Sequence, residues 1–538
     1  MLQEPSAGLT PQNTCCKTRN KYLRAGSGKN YTDSEQWKRS EVAVMRVHLN
    51  VSLQVTSLSV ILLISIGQCI PVEAEAVIKN DDAQAKRIGL KEEQKLSVGA
   101  DLFDSLSSKL RYAYTALIES STLTRLSSKT RRNSETDRNK YETTQLSPVI
   151  LVPGYGGSRL EAKWNRVKVE HFLCESQSDW TNIWLDVKRL LPYMIDCLIE
   201  LFRLEFDHKT NTTHNTHGVE VRVKDPDSLS TVEYLTNLHA PSFGYFAPII
   251  KSLIDEFGYE RDVNLRGAPY DFRKAPNELT DYFKNLKLMS ELMYKETDGQ
   301  QQVTYICHSM GCNNILYFLQ HQPTSWKNKH VRRVISLAAP WAGSMAALRA
   351  AALGDNLGLT YLLSETTLNR AQRSLPSTVY LFPHQDVFAD IPLVRSHVDG
   401  PAPKTYTTGS YMEFFDRLEH PDGYNMWLQT KDLLSNIVAP QVEVHCLYGE
   451  NIKTIGRFEF KGDFPNSTSE VLYDDGDGTV TVQSSAYCKR WTDQQKQPIF
   501  AKGFHANHVD MLRHEEVLHY IGKTLAPEQD TLLVDNQI

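Results

Sequence analysis

The chain has 538 residues, 41% hydrophobic and 23% charged, a balance typical of globular proteins and enough for a large core. A net charge of −5 leaves no general basic footprint, which excludes nucleic acid as an expected partner. None of the nine cysteines (Cys15, Cys16, Cys69, Cys174, Cys197, Cys307, Cys312, Cys446 and Cys488) forms a C-x-x-C pair, so a zinc ribbon is excluded.

Residues 1–44 are polar and aperiodic, and are expected to be a disordered extension or, if translation starts at Met45, untranslated. Met45 and Arg46 precede the apolar run Leu58 to Ile66, with small residues near Cys69 and at Ala74 and Ala76. A basic start, a short apolar centre and a small-residue cleavage site predict a signal peptide over 45–76. The apolar run is too short to cross a bilayer, which takes about twenty residues. Entry to the secretory pathway follows. Residues 77–146 are charge-rich and read as a polar linker or pro-region; Leu102, Leu106, Leu110, Tyr114 and Leu117 mark one amphipathic helix in it.

At Pro148 the composition changes. Val149 to Val152 predicts a buried strand, broken at once by the glycine-rich Pro153 to Gly157. No G-K-[ST] follows, so this is not a phosphate loop; backbone N–H groups presented to an oxyanion fit it better. Helical patterns follow over Tyr245 to Phe257 and Asn277 to Tyr294. Val303 to Ile306 predicts a second buried strand, ending in His308-Ser309-Met310-Gly311, and a helix is predicted from Asn313 to Gln320. Strand, tight turn, helix, with serine at the apex, is the layout of a nucleophile elbow, although Cys307 replaces the usual first glycine. Further strands are predicted at Val331 to Leu337, Val442 to Tyr448 and Ile499 to Lys502. Strands alternating with helices indicate an α/β protein with a mainly parallel sheet.

A serine hydroxyl needs a histidine to take its proton and an acid to orient that histidine. Downstream lie Asp474-Asp475-Gly476-Asp477-Gly478-Thr479-Val480 and then His505-Ala506-Asn507-His508, the Ser, acid, His order of α/β-hydrolases. The acidic run fails the calcium-loop template, because the sixth position from Asp475 is Val480 rather than glycine. A solvated turn is the other reading of it. Spacing alone leaves His505 and His508 both open as the base.

Residues 147–525 resemble the lecithin–cholesterol acyltransferase family, closest to its lysosomal phospholipase A branch. The stretches that carry the resemblance are LVPGYGGSRLEAK at 151–163, WL at 184–185, LLP at 190–192, RGAPYDFR at 266–273, HSMG at 308–311, APWAG at 339–343, HCLYG at 445–449, DGDGTV at 475–480 and HVDML at 508–512. The resemblance implies an α/β-hydrolase fold with Ser309 as nucleophile, Asp477 as acid, His508 as base, and the N–H groups of Tyr155 and Met310 as oxyanion hole. It implies disulfides Cys174–Cys197 and Cys446–Cys488, with Cys307 and Cys312 left as buried free thiols. Tyr155 is a departure: the lysosomal members carry an aspartate there, linked to their acidic working range.

By the same resemblance, 344–437 is a cap with a lid near Gly354 to Arg373, and 526–538 is a tail. Residues 171–206 form an excursion whose Phe172, Leu173, Ile183, Trp184, Leu185, Leu191 and Tyr193 suit a membrane-docking surface. Asn211 and Asn466 open glycosylation acceptors. The implied activity is cleavage of a phospholipid acyl ester through an acyl-enzyme, passed to water or to a lipophilic alcohol such as ceramide or a sterol. No metal or other cofactor is expected. The expected partners are phospholipid membranes or a lipoprotein surface, the expected state a monomer, and the expected location the lysosome or extracellular fluid. The rival reading is a catalytically silent lipid-binding or transfer protein on the same fold, motivated by Cys307 and Tyr155.

Overall fold

Six parallel strands form the central sheet: β1 (Val149–Val152), β2 (Leu265–Gly267), β3 (Val303–His308), β4 (Val331–Leu337), β5 (Glu443–Gly449) and β6 (Ile499–Phe504), in the order β6-β5-β4-β3-β1-β2. In this computed structural model the described residues are 146–526, except 192–193, 238, 240–242, 358–363, 365, 399–401 and 435–436. The expectations for residues 1–44, the signal peptide, the linker up to 145 and the tail from 527 lie outside them.

The strands β1 and β3 in the middle of the sheet are buried on both faces, unlike the exposed edge strand β6, which is why they read as apolar runs rather than alternating ones. Successive side chains still point to opposite faces. Ile150, Val152, Tyr305 and Cys307 join one core with Leu286, Met289, Ile315 and Phe318. These last four come from helices α2 (Thr280–Glu296) and α3 (Met310–Gln320). Val149, Leu151 and Ile306 join the other, with Ile249 and Leu253 of α1 (Ala247–Phe257) and Val517 and Ile521 of α4 (Glu515–Leu525). Two helical layers sandwich a parallel sheet, the architecture of an α/β hydrolase.

Two insertions build on this body. Between β1 and β2 lie a three-stranded sheet (Leu160–Asn165, Gln177–Trp184 and Val219–Val223), a helix Ile195–Phe202, and the hairpin Leu204–Asp207/Thr212–Asn215. Cys174–Cys197 closes this excursion, as the resemblance implied. Between β4 and β5 the cap is mostly short helices, among them Met345–Ala352, Pro376–Tyr380, Tyr411–Arg417 and Pro421–Thr430. Its strands Val394–Ser396 and Lys404–Tyr406 join the hairpin Ile452–Phe460/Ser469–Gly476 in a second, four-stranded sheet. Cys446–Cys488 ties β5 to the segment before β6.

The expected membrane-docking set divides. Phe172 is 92% exposed and Leu173 is also exposed, so both face solvent as expected. Ile183, Trp184 and Leu185 are buried, and this corrects the expectation. Their strand ends against the hydrolase body, where the Trp184 ring packs on Phe202 and Phe272 and its Nε1 donates to Gly156 O at 2.8 Å. Leu191 is half-buried, and Tyr193 lies outside the described residues. Asn211 sits exposed in the hairpin turn with φ +54°, and Asn466 is also exposed.

Candidate active site

The apolar strand β3 runs straight into α3, with a single residue to turn the chain. That residue is Ser309, at φ +53° and ψ −132°, a region that costs a side-chain-bearing residue of order 1–3 kcal/mol. Its N–H donates to Leu337 O on β4 at 2.9 Å. The turn works only because its neighbours can approach. A Cβ on Gly311 would come within 2.3 Å of Pro153 O, and one on Gly154 within 2.7 Å of the Ser309 Cβ. The glycine loop after β1 and the elbow after β3 are thus in contact.

Cys307, at the usual glycine position, is buried and disulfide-bonded to Cys312. This overturns the expectation of two free thiols. The elbow folds the end of β3 back beside the first turn of α3, which brings their Cα atoms to 5.0 Å.

Asp477 follows the hairpin of the second sheet and is buried. Its Oδ1 accepts from the N–H groups of Thr479 (2.9 Å) and Val480 (2.7 Å), which fixes the carboxylate plane. Oδ2 lies 2.8 Å from Nδ1 of His508, in the loop after β6, and Nε2 of His508 lies 2.9 Å from Ser309 Oγ. The backbone N–H of His508 also donates to Asp477 O at 2.9 Å. Three distant segments therefore meet as a Ser–His–Asp array. His505 is exposed, as are Asp474 and Asp475, which resolves the alternatives that spacing had left open.

Of the two expected oxyanion donors, Met310 opens α3, and a helix's first N–H groups have no carbonyl partner within it. Tyr155 lies in the turn of the glycine loop, closed by Gly157 N–H on Gly154 O at 3.0 Å. Its side chain turns toward the cap: the ring packs on Phe272, and the hydroxyl lies 3.3 Å from Thr378 Oγ1. Burial pushes that phenol well above its ordinary pKa, so Tyr155 brings no charge to the site.

Two groups beside the array were not assigned from the sequence. His308 is buried, and burial together with the neighbouring His508 lowers its pKa from 6.5 to about 3. Its Nδ1 lies 2.5 Å from the Tyr245 hydroxyl, and its Nε2 lies 2.9 Å from the backbone oxygen of His508. His308 stood in the HSMG stretch already; nothing in sequence spacing pointed to Tyr245, sixty-three residues earlier.

A family model described as "Lecithin:cholesterol acyltransferase" matches residues 180–515. A bovine (Bos taurus) protein named "Lysosomal phospholipase A and acyltransferase" is 37% identical over 386 residues, covering 70% of this chain and 91% of the relative. The human (Homo sapiens) protein of that name is 35% identical over 386 residues, with coverage of 70% and 90%. A chicken (Gallus gallus) "Phosphatidylcholine-sterol acyltransferase" is 36% identical over 374 residues, with coverage of 69% and 88%.

Proposed function

The chain belongs to the lecithin:cholesterol acyltransferase family, and on that premise we propose that it cleaves a fatty acyl ester of a phospholipid through a covalent acyl-enzyme. Ser309 Oγ attacks the ester carbonyl while His508 Nε2 takes its proton. The buried Asp477 carboxylate holds the ring and stabilises the imidazolium. Backbone N–H groups of Met310 and Tyr155 receive the developing oxyanion; losing one such donor typically slows the reaction by about 10²–10³. The carbonyl–oxygen bond to the lysophospholipid then breaks, and the leaving oxygen takes the proton from His508. Water or a lipophilic alcohol, such as ceramide or a sterol, resolves the acyl-enzyme by the same steps in reverse.

One observation carries this reading: the 2.9 and 2.8 Å contacts that join Ser309, His508 and Asp477 in series. Exposed Phe172 and Leu173 fit contact with a phospholipid membrane or lipoprotein surface. The three disulfides among the described residues fit folding in the secretory pathway, with lysosome or extracellular fluid as destination.

The test is incubation of the purified protein with radiolabelled phosphatidylcholine vesicles, with and without ceramide or cholesterol, alongside fluorophosphonate labelling. Wild type is expected to release fatty acid or form acylated alcohol and to label; Ser309→Ala is expected to do neither. Labelling that survives Ser309→Ala would reject the nucleophile. Lipid binding without either product would favour the silent lipid-transfer reading.

A further inference from the structure

The acyl-transfer steps make no use of His308, yet both nitrogens of this buried ring have a hydrogen-bond partner. Its Nε2 faces the backbone oxygen of His508 at 2.9 Å, and a carbonyl only accepts, so Nε2 carries the hydrogen. A neutral imidazole has one N–H, so Nδ1 must accept, and the Tyr245 hydroxyl at 2.5 Å must donate to it. The same hydroxyl accepts from the Gly154 N–H at 3.0 Å. Every bond then has one direction: Gly154 N–H to Tyr245, Tyr245 to His308, His308 to the His508 carbonyl.

This chain of bonds touches each part of the reaction centre. Gly154 precedes Tyr155, a proposed oxyanion donor; His308 precedes the nucleophile; His508 is the proposed base, and its own N–H goes on to the Asp477 carbonyl. We propose that Tyr245 and His308 are positioning residues for acyl transfer, a buried relay that sets the spacing between the oxyanion loop and the general base. The proposal rests on the Ser309–His508–Asp477 reading above.

The physical case has two parts. The glycine loop, the elbow and the base loop follow three different strands, and no covalent bond among the described residues joins one to another. Yet a misplacement of about 1 Å can cost about 10²-fold in rate. A relay with fixed donors and acceptors supplies the missing constraint, and any one deletion leaves a buried partner unsatisfied. The second part is charge. The His308 ring centroid lies 4.9 Å from that of His508, which becomes an imidazolium during the reaction. His308 stays neutral because it is buried, so it orients His508 without opposing that charge.

The experiment compares Tyr245→Phe, His308→Leu and His308→Gln with wild type in the full chain, measuring fluorophosphonate labelling rate and kcat and KM on a soluble p-nitrophenyl ester. Tyr245→Phe and His308→Leu are expected to lower labelling and kcat by about 10²-fold, with KM within about twofold of wild type. The side-chain amide of His308→Gln still donates to the His508 carbonyl, so it should recover about tenfold of the loss. The double variant Tyr245→Phe/His308→Leu should be no slower than His308→Leu alone, because the relay acts as a unit. Folded variants with unchanged kcat, losses confined to KM, no recovery in His308→Gln, or losses that multiply would each overturn the relay. Should His308→Leu not fold, Tyr245→Phe, which removes one oxygen, decides alone. A wild type that does not label sinks the triad reading instead.

Discussion

Glu200, on the excursion helix, and Arg370, in the cap, form an ion pair that joins the two insertions. The two ends of this pair differ in burial. The Glu200 side chain is 2% exposed and also accepts from Arg203 Nε at 2.9 and 3.0 Å, whereas Arg370 is 53% exposed. Losing Arg370, itself half-exposed, leaves that carboxylate paired with Arg203 and with Arg166 at 3.5 Å. Arg370→Met should therefore cost less than about 1 kcal/mol of unfolding free energy. Glu200→Gln, which removes the buried charge that Arg166, Arg203 and Arg370 share, should cost about 2 kcal/mol or more. Urea denaturation of both variants checks the order, and a larger loss for Arg370→Met would contradict it.

The buried, neutral His308 predicts a pH dependence of stability. Its pKa falls from 6.5 to about 3 on folding, so between those values the unfolded chain binds the proton and the folded chain does not. The stabilisation is complete above pH 6.5 and is lost progressively as pH drops toward 3, by up to about 1.4 kcal/mol per pH unit. His308→Gln removes the titrating group, so its stability should decline less steeply than wild type from pH 7 to pH 5. Parallel declines in urea midpoints would show that His308 does not titrate on unfolding.

The three disulfides among the described residues close loops of different length, with sequence separations of 5, 23 and 42 residues. Chain entropy then predicts losses of about 2, 3 and 4 kcal/mol for paired alanine variants of Cys307/Cys312, Cys174/Cys197 and Cys446/Cys488. Thermal and urea unfolding of the three double variants tests this. An elbow pair that costs most would mean that it stabilises mainly the folded state.

At the tip of the excursion, Phe172 and Leu173 together expose apolar area that the fold does not use. Burying such side chains is worth about 1.5–3 kcal/mol each. Phe172→Ser/Leu173→Ser should weaken partition onto phosphatidylcholine vesicles by at least about tenfold. Hydrolysis of a soluble ester, which needs no surface, should change little. Vesicle sedimentation that is the same for wild type and variant would remove this tip from the docking surface.

The central sheet and the Ser–Asp–His order were legible in the sequence because buried parallel strands are continuous apolar runs and the motifs sit at their ends. The short strand Leu265–Gly267 and the hairpin strand Ser469–Gly476 were not. Three residues carry no period, and the second strand is polar and exposed along nearly its whole length. Composition flagged Ile183 to Leu185 and Phe172 to Leu173 alike; only the turn of the strand into the body separates them. The elbow disulfide went unread for a similar reason, since a five-residue separation joins strand to helix only where the chain reverses sharply.

That disulfide has a consequence for how the protein can be made. Cys307 and Cys312 enclose His308, Ser309, Met310 and Gly311 in one covalent ring, so the proposed nucleophile and one proposed oxyanion donor are tied into a single macrocycle. Both cysteines are fully buried, out of reach of cellular oxidants once folding ends. Oxidation must therefore accompany folding. Protein produced in a reducing cytosol would carry a different elbow from protein matured in an oxidising lumen, whatever its sequence.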